Sequence, residues 1–423
     1  MIVEPAPDLD AALAAWRAGQ ARMPIWLVSP GEAEADLVDR DIARQVVACD
    51  PVRVVRGTVE ELEAAWAEER AAWRGGPGVP IGVGYLGYEL GRRFERVRGP
   101  ARESEWADLE FRFYDALWVR QAGTAEIWAR DADAAARLRA RLMAPAPPAE
   151  VGTVLGALED LDPPEIYLAG VARILEYLRE GDVYQVNLAR RLAAALPASE
   201  GPTGWALFAR LQAESPAPHA LWFGGHGACL VGNSPERFLR LHPDGRIETR
   251  PIKGTRPRGS DAAELARHPK DLAEHIMIVD LERNDLGRVC RTGTVEVEGF
   301  ARTVSLPTVH HLVTTVRGHL RPEVGLAELL RATFPGGSIT GAPKIRAMEI
   351  IAELERAARG PYTGATGWLG AAGDLDLAIA IRTALVRDRA LTLWVGGGIV
   401  ADSLPEDELR ETVAKAAAFA RLI

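Results

Sequence analysis

His242-Pro243-Asp244-Gly245 lies between two alternating apolar runs, residues 238–241 and 246–249. This commits that stretch to an antiparallel hairpin, because Asp-Gly is the strongest short-range signal for one. With Asp244 and Gly245 as a two-residue loop, Pro243 faces Arg246, and the register carried outward sets Glu236 opposite Lys253. Directly opposed residues have Cβ atoms about 4.5–5.5 Å apart, so a carboxyl group and an amine share one face at the open end of the hairpin. An ordinary cross-strand ion pair has the same spacing, and Pro235 and Pro251 can each introduce a bulge that shifts the register.

The pairing matters because lysine is scarce here. Of the 50 basic residues only Lys253, Lys270, Lys344 and Lys415 are lysines, and none falls in the first 252 positions. Arginine cannot give up its proton to become a nucleophile or base, whereas lysine can. The search for chemistry therefore moves to the C-terminal part of the chain. A length of 423 residues with 48% hydrophobic content is ample for a large core. A net charge of −9 argues against a nucleic-acid or anionic-membrane surface. Three scattered cysteines give neither a disulfide framework nor a CxxC zinc site. No apolar run approaches about 18 residues and the N-terminus lacks a signal-peptide pattern, so a soluble cytoplasmic protein is expected.

Residues 1–145 read as an N-terminal region of mixed structure, with a short strand at 26–29, an acidic helix over 59–73 and strand-like alternation through 111–119. A Pro/Ala-rich stretch, 144–150, marks the boundary, and residues 160–423 form the second region. That region opens with a helix whose N-cap is predicted to be Asp162, with Pro163 and Pro164 in its first turn and Gly181 as its stop. In the strand that follows, Gln185 and Asn187 share one face, either functional or simply solvent-facing on an edge strand.

Three further constellations stand out. Ser403 and Glu406 predict a capping box, followed by Glu408, Glu411 and Lys415 on one helical face. Such carboxylates suit Mg²⁺, and the preceding glycines 396–398 let backbone approach a ligand; a salt-bridged solvent face is the plain alternative. The glycine-rich segment 334–344 leads into an apolar-periodic helix and could cradle an anionic, carboxylate-bearing ligand, but it lacks the GxxxxGK[ST] pattern of nucleotide-hydrolysing loops. An acidic helix over 270–286 carries Glu274, Asp280, Glu282 and Asp285; Glu274 shares a stripe with Ile278 and Leu281 and is the expected functional acid.

Together these strings resemble the chorismate-utilising enzyme family, in its aminodeoxychorismate synthase and anthranilate synthase component I branches. The matching segments are GDVYQVNLAR at 181–190, SPERF at 234–238, RPIKGTRPRG at 250–259, KDLAEHIMIVDLERNDLGRV at 270–289, HHLVT at 310–314, FPGGSITGAPKIRAMEII at 334–351, PYTGATG at 361–367, IAIRTAL at 379–385 and GGGIVADSLPEDELRET at 396–412. In the N-terminal region the match is carried by GVGYLGYELGRR at 82–93.

The resemblance implies an α+β fold, a layered antiparallel β-sheet assembly flanked by helices, with a chorismate-binding catalytic region at 160–423. It implies Mg²⁺ held by Glu274 and Glu411 with Glu408 close by, and Glu236 as the general acid for the C4 hydroxyl. Arg382 and Lys415 would bind a substrate carboxylate, and Gln185, Tyr362, Thr340, Gly337, Gly398 and His311 would line the substrate site. Gln185 stands where isochorismate and salicylate synthases carry a water-activating lysine. Lys253 stands where anthranilate synthases typically have alanine and aminodeoxychorismate synthases have lysine. The implied reaction is attack of Lys253 on ring C2, followed by opening of the adduct by ammonia at C4. Neutral Lys253 is required, so its pKa is expected to be lowered by burial and nearby positive charge. No GxCxG nucleophile elbow is present, so ammonia would come from a glutamine amidotransferase subunit in a heterodimer that could be transient. The alternatives are anthranilate formation, with amination at C2 and loss of pyruvate, and a catalytically silent binding subunit.

Overall fold

In the computed structural model the described residues are 1–7, 21–29, 44–144, 157–196, 204–225, 227–265, 267–305 and 309–422. The expected boundary at 144–150 therefore falls almost wholly outside them. Two large antiparallel sheets stack face to face. The first runs in the order 2–5, 124–129, 116–121, 44–48, 25–29, 219–224, 228–234, 383–387, 390–399, 185–195 and 341–342. The second runs 252–257, 309–319, 246–250, 237–241, 375–379, 365–369, 82–86, 109–113 and 53–55, with 296–305 also pairing to 309–319. Strands from both sides of residues 145–160 enter each sheet.

Alternation along the strands builds the layers. In the first sheet Leu230, Leu385 and Trp394 point into the core between the sheets, while their neighbours Val231, Val386 and Val395 join an outer core under helices. The fold is the layered α+β assembly that the sequence suggested.

The elements that carry the site are α1 (Pro164–Glu180), β1 (Gln185–Ala195), β2 (Arg237–Leu241), β3 (Arg246–Arg250), β4 (Ile252–Pro257), α2 (Pro269–Gly287), β5 (Val309–His319), α3 (Lys344–Leu354), β6 (Ala390–Ile399) and α4 (Pro405–Ala420). Helix α1 begins one residue later than expected: Pro163 is the N-cap, and Asp162 instead accepts from the backbone N–H and guanidinium of Arg191. Gly181 ends it in the left-handed conformation, φ +81°.

The hairpin forms with a different loop. Leu241 pairs with Ile247 rather than with Glu248, and His242 N–H donates to the Arg246 carbonyl, leaving three residues in the loop with Gly245 at φ +85°. A bulge between Arg237 and Arg240 shifts the register again, so that Arg237 faces Arg250. The chain then breaks at Pro251, and β4 pairs with β5 rather than with β2. Glu236 and Lys253 are therefore not cross-strand partners.

Candidate active site

The two sheets exchange strands at one end, and the site is built there. The chain leaves the first sheet at Ser234 and enters the second at Arg237, so Glu236 lies on the crossing, its carbonyl accepting from Ile379 N–H at 3.0 Å. The neighbouring chain crosses back between Ile379 and Thr383, and Arg382 lies there with φ +50°, its carbonyl accepting from Asn233 N–H. An acid and a guanidinium are thus fixed side by side by topology.

The Glu236 side chain is 5% exposed. Burial pushes its pKa up, opposed by hydrogen bonds from the Ser338 hydroxyl and Ile252 N–H and by the charges of Lys253 and Arg382. The net direction is upward, which suits a carboxyl group that must keep a proton near neutrality. It reaches the start of β4 through Ile252 despite the changed register. Arg382 makes no ion pair with any described residue, and burial pulls its pKa down against the opposing pull of Glu236.

Lys253 Nζ lies 2.8 Å from Glu274 Oε1 and 3.5 Å from the Ser338 carbonyl. Burial alone would lower its pKa, but the charge and hydrogen bond of Glu274, then the charges of Glu236 and Glu411, outweigh it and raise it. This corrects the expected lowering: carboxylates, not cations, are the dominant neighbours. Beyond Lys253, β4 is irregular at Gly254, whose carbonyl faces His311 Nδ1 at 3.1 Å. Burial, aided by Arg382, lowers the His311 pKa to about 4, so the ring is neutral.

Gln185 is fully buried, so the pair of amides does not face solvent. Neither Gln185 Nε2 nor Oε1 finds a partner among the described residues, while Asn187 Nδ2 donates to the Ser338 carbonyl at 2.8 Å. Both side chains converge over Gly398, where a Cβ would come within 2.4 Å of Gln185 Nε2. A buried amide with no partner is costly unless a ligand completes it. Gly396 has a different role from the backbone approach expected of it: a Cβ there would collide with the Leu188 carbonyl of β1 at 2.3 Å.

Glu408 and Glu411 project from α4 toward Gly397, where a Cβ would stand 3.3 Å from Glu408 Oε2, 3.4 Å from Glu411 Oε1 and 3.5 Å from Lys415 Nζ. Lys415 pairs with Glu411 at 2.6 Å and donates to the Gly396 carbonyl. The expected capping box is absent: Leu404 is the N-cap, and the Ser403 hydroxyl donates to Glu408 Oε1 at 2.6 Å. Among the described residues no three His, Cys, Asp or Glu side chains converge tightly enough to enclose a metal ion. Two hard carboxylates beside a space that only glycine leaves open nevertheless fit a small cation whose other positions are filled by water or substrate oxygen.

The glycine-rich segment forms a short turn, Gly337–Ile339, then pairs through Gly341 and Ala342 with β1. Thr340 is fully buried and its hydroxyl is spent on the Gly336 carbonyl. Gly337 N–H donates to Glu282, and Tyr362 stacks on Trp394 at 5.7 Å beneath the Arg359 guanidinium. On α2 the buried acids are Glu282 and Asp285, while Glu274 is half-buried beside the buried Ile278 and bonds Lys253. Reasoning from sequence passed over Ser338 and Arg359, and marked Glu282 only as one of four acids on the α2 helix.

A family model described as chorismate binding enzyme matches residues 26–421. The chain is 43% identical over 345 residues to aminodeoxychorismate synthase component 1 of Klebsiella aerogenes, covering 79% of this chain and 75% of that one. It is 42% identical over 372 residues to anthranilate synthase component 1 of Streptomyces coelicolor, covering 80% and 71%. Among solved structures, anthranilate synthase component I from Streptococcus pneumoniae superposes with a TM-score of 0.76 at 27% identity, covering 95% of this chain and 91% of that chain. With its crossing strands, buried acid and glycine-shaped cleft, the chain belongs to the chorismate-binding enzyme family.

Proposed function

We propose that the chain is the chorismate-aminating component of an aminodeoxychorismate synthase, converting chorismate and ammonia to 4-amino-4-deoxychorismate and water. The observation that carries the reading is the amine of Lys253, enclosed with Glu236, Glu274 and Glu411 around it. Similarity alone separates the two branches poorly, at 43% against 42% identity. Residue 253 separates them, because an amine that occupies ring C2 directs ammonia to C4.

Arg382 and Lys415 take the substrate's carboxylates, and the unsatisfied amide of Gln185 offers a donor and an acceptor to the bound ring. Glu274 and Glu411, with Glu408 beside them, would hold Mg²⁺, whose charge would favour binding of the substrate's ring carboxylate. Neutral Lys253 forms a bond to C2 as both ring double bonds shift, from C1=C2 to C1=C6 and from C5=C6 to C4=C5, and the C4–O bond breaks. Glu236 gives its proton to the departing hydroxyl, which leaves as water. Ammonia then bonds to C4, both double bonds shift back, and the lysine leaves C2 as an amine.

The ammonia comes from a separate glutamine amidotransferase subunit. All three cysteines are buried, and burial pushes Cys49 to about 12 and Cys290 to about 11, the reverse of an activated glutaminase thiol. No helix among the described residues is long and apolar enough to cross a membrane.

Incubation with chorismate, Mg²⁺ and ammonium, followed by a pyruvate-eliminating lyase, is expected to yield p-aminobenzoate. Anthranilate and pyruvate formed without the lyase would refute the reading. Mass spectrometry of protein trapped with chorismate should locate an adduct on Lys253 that is lost in Lys253→Ala; an adduct elsewhere, or full activity of the variant, would remove Lys253 from its role.

A further inference from the structure

Behind the glycine-rich turn lies a second group of ionisable side chains that the chemistry above does not use. Glu282 and Asp285 are 3% and 2% exposed on α2. Asp285 Oδ2 is paired with Lys344 at 2.5 Å, and Lys344 also donates to the Thr333 carbonyl at 3.1 Å, so that carboxylate already has its cation. Glu282 makes no ion pair among the described residues, although the Lys344 charge that pairs with Asp285 also acts on it. Its Oε1 accepts the N–H of Gly337 at 3.1 Å.

The next residue along the turn is Ser338, whose hydroxyl bonds Glu236 and whose carbonyl accepts from Asn187 and Lys253. One residue of backbone thus separates the Glu282 contact from two contacts to the reacting groups, Glu236 and Lys253, and one to Asn187. Gly337 has no room to move aside, since a Cβ there would stand 2.4 Å from Leu281 Cδ2 and 3.3 Å from Glu282 Oε1. The turn is clamped between α2 and the cleft.

We infer that Glu282 is a positioning residue for the amination: by accepting the Gly337 N–H it sets the height of the turn and so aims the Ser338 hydroxyl at Glu236. The inference rests on the reading of Glu236 as the acid. It requires an acceptor oxygen at the full reach of a glutamate side chain and does not require charge. Burial, then the neighbouring Asp285, pushes the Glu282 pKa upward, consistent with a neutral carboxyl group there. An acceptor misplaced by one methylene would leave Gly337 N–H unsatisfied and lower the turn, while Arg382 and Lys415 would still hold substrate.

Two conservative variants separate reach from charge. Glu282→Gln keeps the reach and the acceptor oxygen, and is expected to retain kcat to within about threefold. Glu282→Asp keeps the charge and loses the reach, and is expected to lose kcat about 10- to 100-fold with the chorismate KM within about threefold of the parent. The inference is overturned if Glu282→Asp is active and Glu282→Gln is not, if both retain full activity, or if both lose kcat equally. Glu236→Gln, measured alongside, reports on the reading beneath: an active Glu236→Gln enzyme removes Glu236 as the acid whatever the pattern at 282.

Discussion

The ion pair between Glu355 and Arg359 offers the clearest test of how this cleft is held. Arg359 is 2% and Glu355 5% exposed. The guanidinium donates to both carboxylate oxygens, at 2.6 and 2.8 Å, to Thr363 Oγ1 at 3.0 Å, and to the carbonyls of Asn187 and Ile339 at 2.9 and 3.3 Å. Glu355 Oε1 accepts in addition the Ala189 N–H at 3.0 Å. The pair therefore pins β1, the glycine-rich turn and the loop before Tyr362 to one point.

Glu355→Gln removes two charge-assisted bonds, each about 1.5–3 kcal/mol, and returns one neutral bond of about 1 kcal/mol, while a guanidinium that cannot discharge stays buried. The expected loss is about 2–5 kcal/mol, overlapping the range found for breaking buried pairs. Arg359→Met strands a carboxylate instead, and a carboxylate can neutralise itself. Its folded pKa would exceed its unfolded one, so the deficit should shrink as pH falls through the folded value, whereas that of Glu355→Gln should not change. Replacing both by apolar residues of similar volume should recover most of the loss. Guanidinium unfolding of the four proteins at pH 6 and 8 measures all of this. A loss below about 1 kcal/mol for Glu355→Gln, or the same pH response in both single variants, would refute the reasoning.

Other outcomes follow from the same contacts. Lys344→Arg should cost about 1–3 kcal/mol in thermal or denaturant unfolding, because a planar guanidinium must be forced into a space that holds one ammonium between Asp285 and the Thr333 carbonyl; an unchanged midpoint would contradict this. His275 is fully buried, and burial, then Lys253, lowers its pKa from 6.5 to about 4. Its contribution to stability is complete above pH 6.5 and declines as pH falls toward 4. Between pH 6.5 and 5 that decline is about 2 kcal/mol, and His275→Gln should lose this much less stability than the parent over the same interval. An identical acid response in both proteins would count against a buried neutral imidazole.

What was legible in the sequence was whatever depends on local pattern. The Asp-Gly turn announced an antiparallel hairpin, and Gly181 announced the end of α1. What failed was register, and for a specific reason. The turn takes a third residue, a bulge follows between Arg237 and Arg240, and Pro251 ends the strand. Each event moves the pairing by about one position, and none changes the hydrophobic alternation enough to be read. Two predicted N-caps failed as well: Asp162 bonds Arg191, which folding brings near, and the Ser403 hydroxyl is taken up by the Glu408 carboxyl group and the Val400 N–H in place of the helix backbone. The meeting of Glu236 with Arg382 was beyond any local pattern, since it depends on two strands changing sheets at the same level, with about 145 residues of chain between them.

The scarcity of lysine can be accounted for in the same physical terms. Lys253, Lys344 and Lys415 each donate to one carboxylate and one backbone carbonyl: Glu274 with Ser338, Asp285 with Thr333, and Glu411 with Gly396. A compact ammonium can bridge two acceptors that converge on a point, whereas a guanidinium spreads its donors over a plane and suits acceptors that lie apart. Arg359 shows the second arrangement, reaching four separate residues from one buried position. Arginine thus fits the struts of this cleft, and lysine fits the three points where a carboxylate and a carbonyl close on one atom. Geometry alone would explain Lys344 and Lys415. Lys253 differs in what surrounds it, because Glu236 and Glu274 both face its amine, and Glu236 is the acid of the proposed reaction.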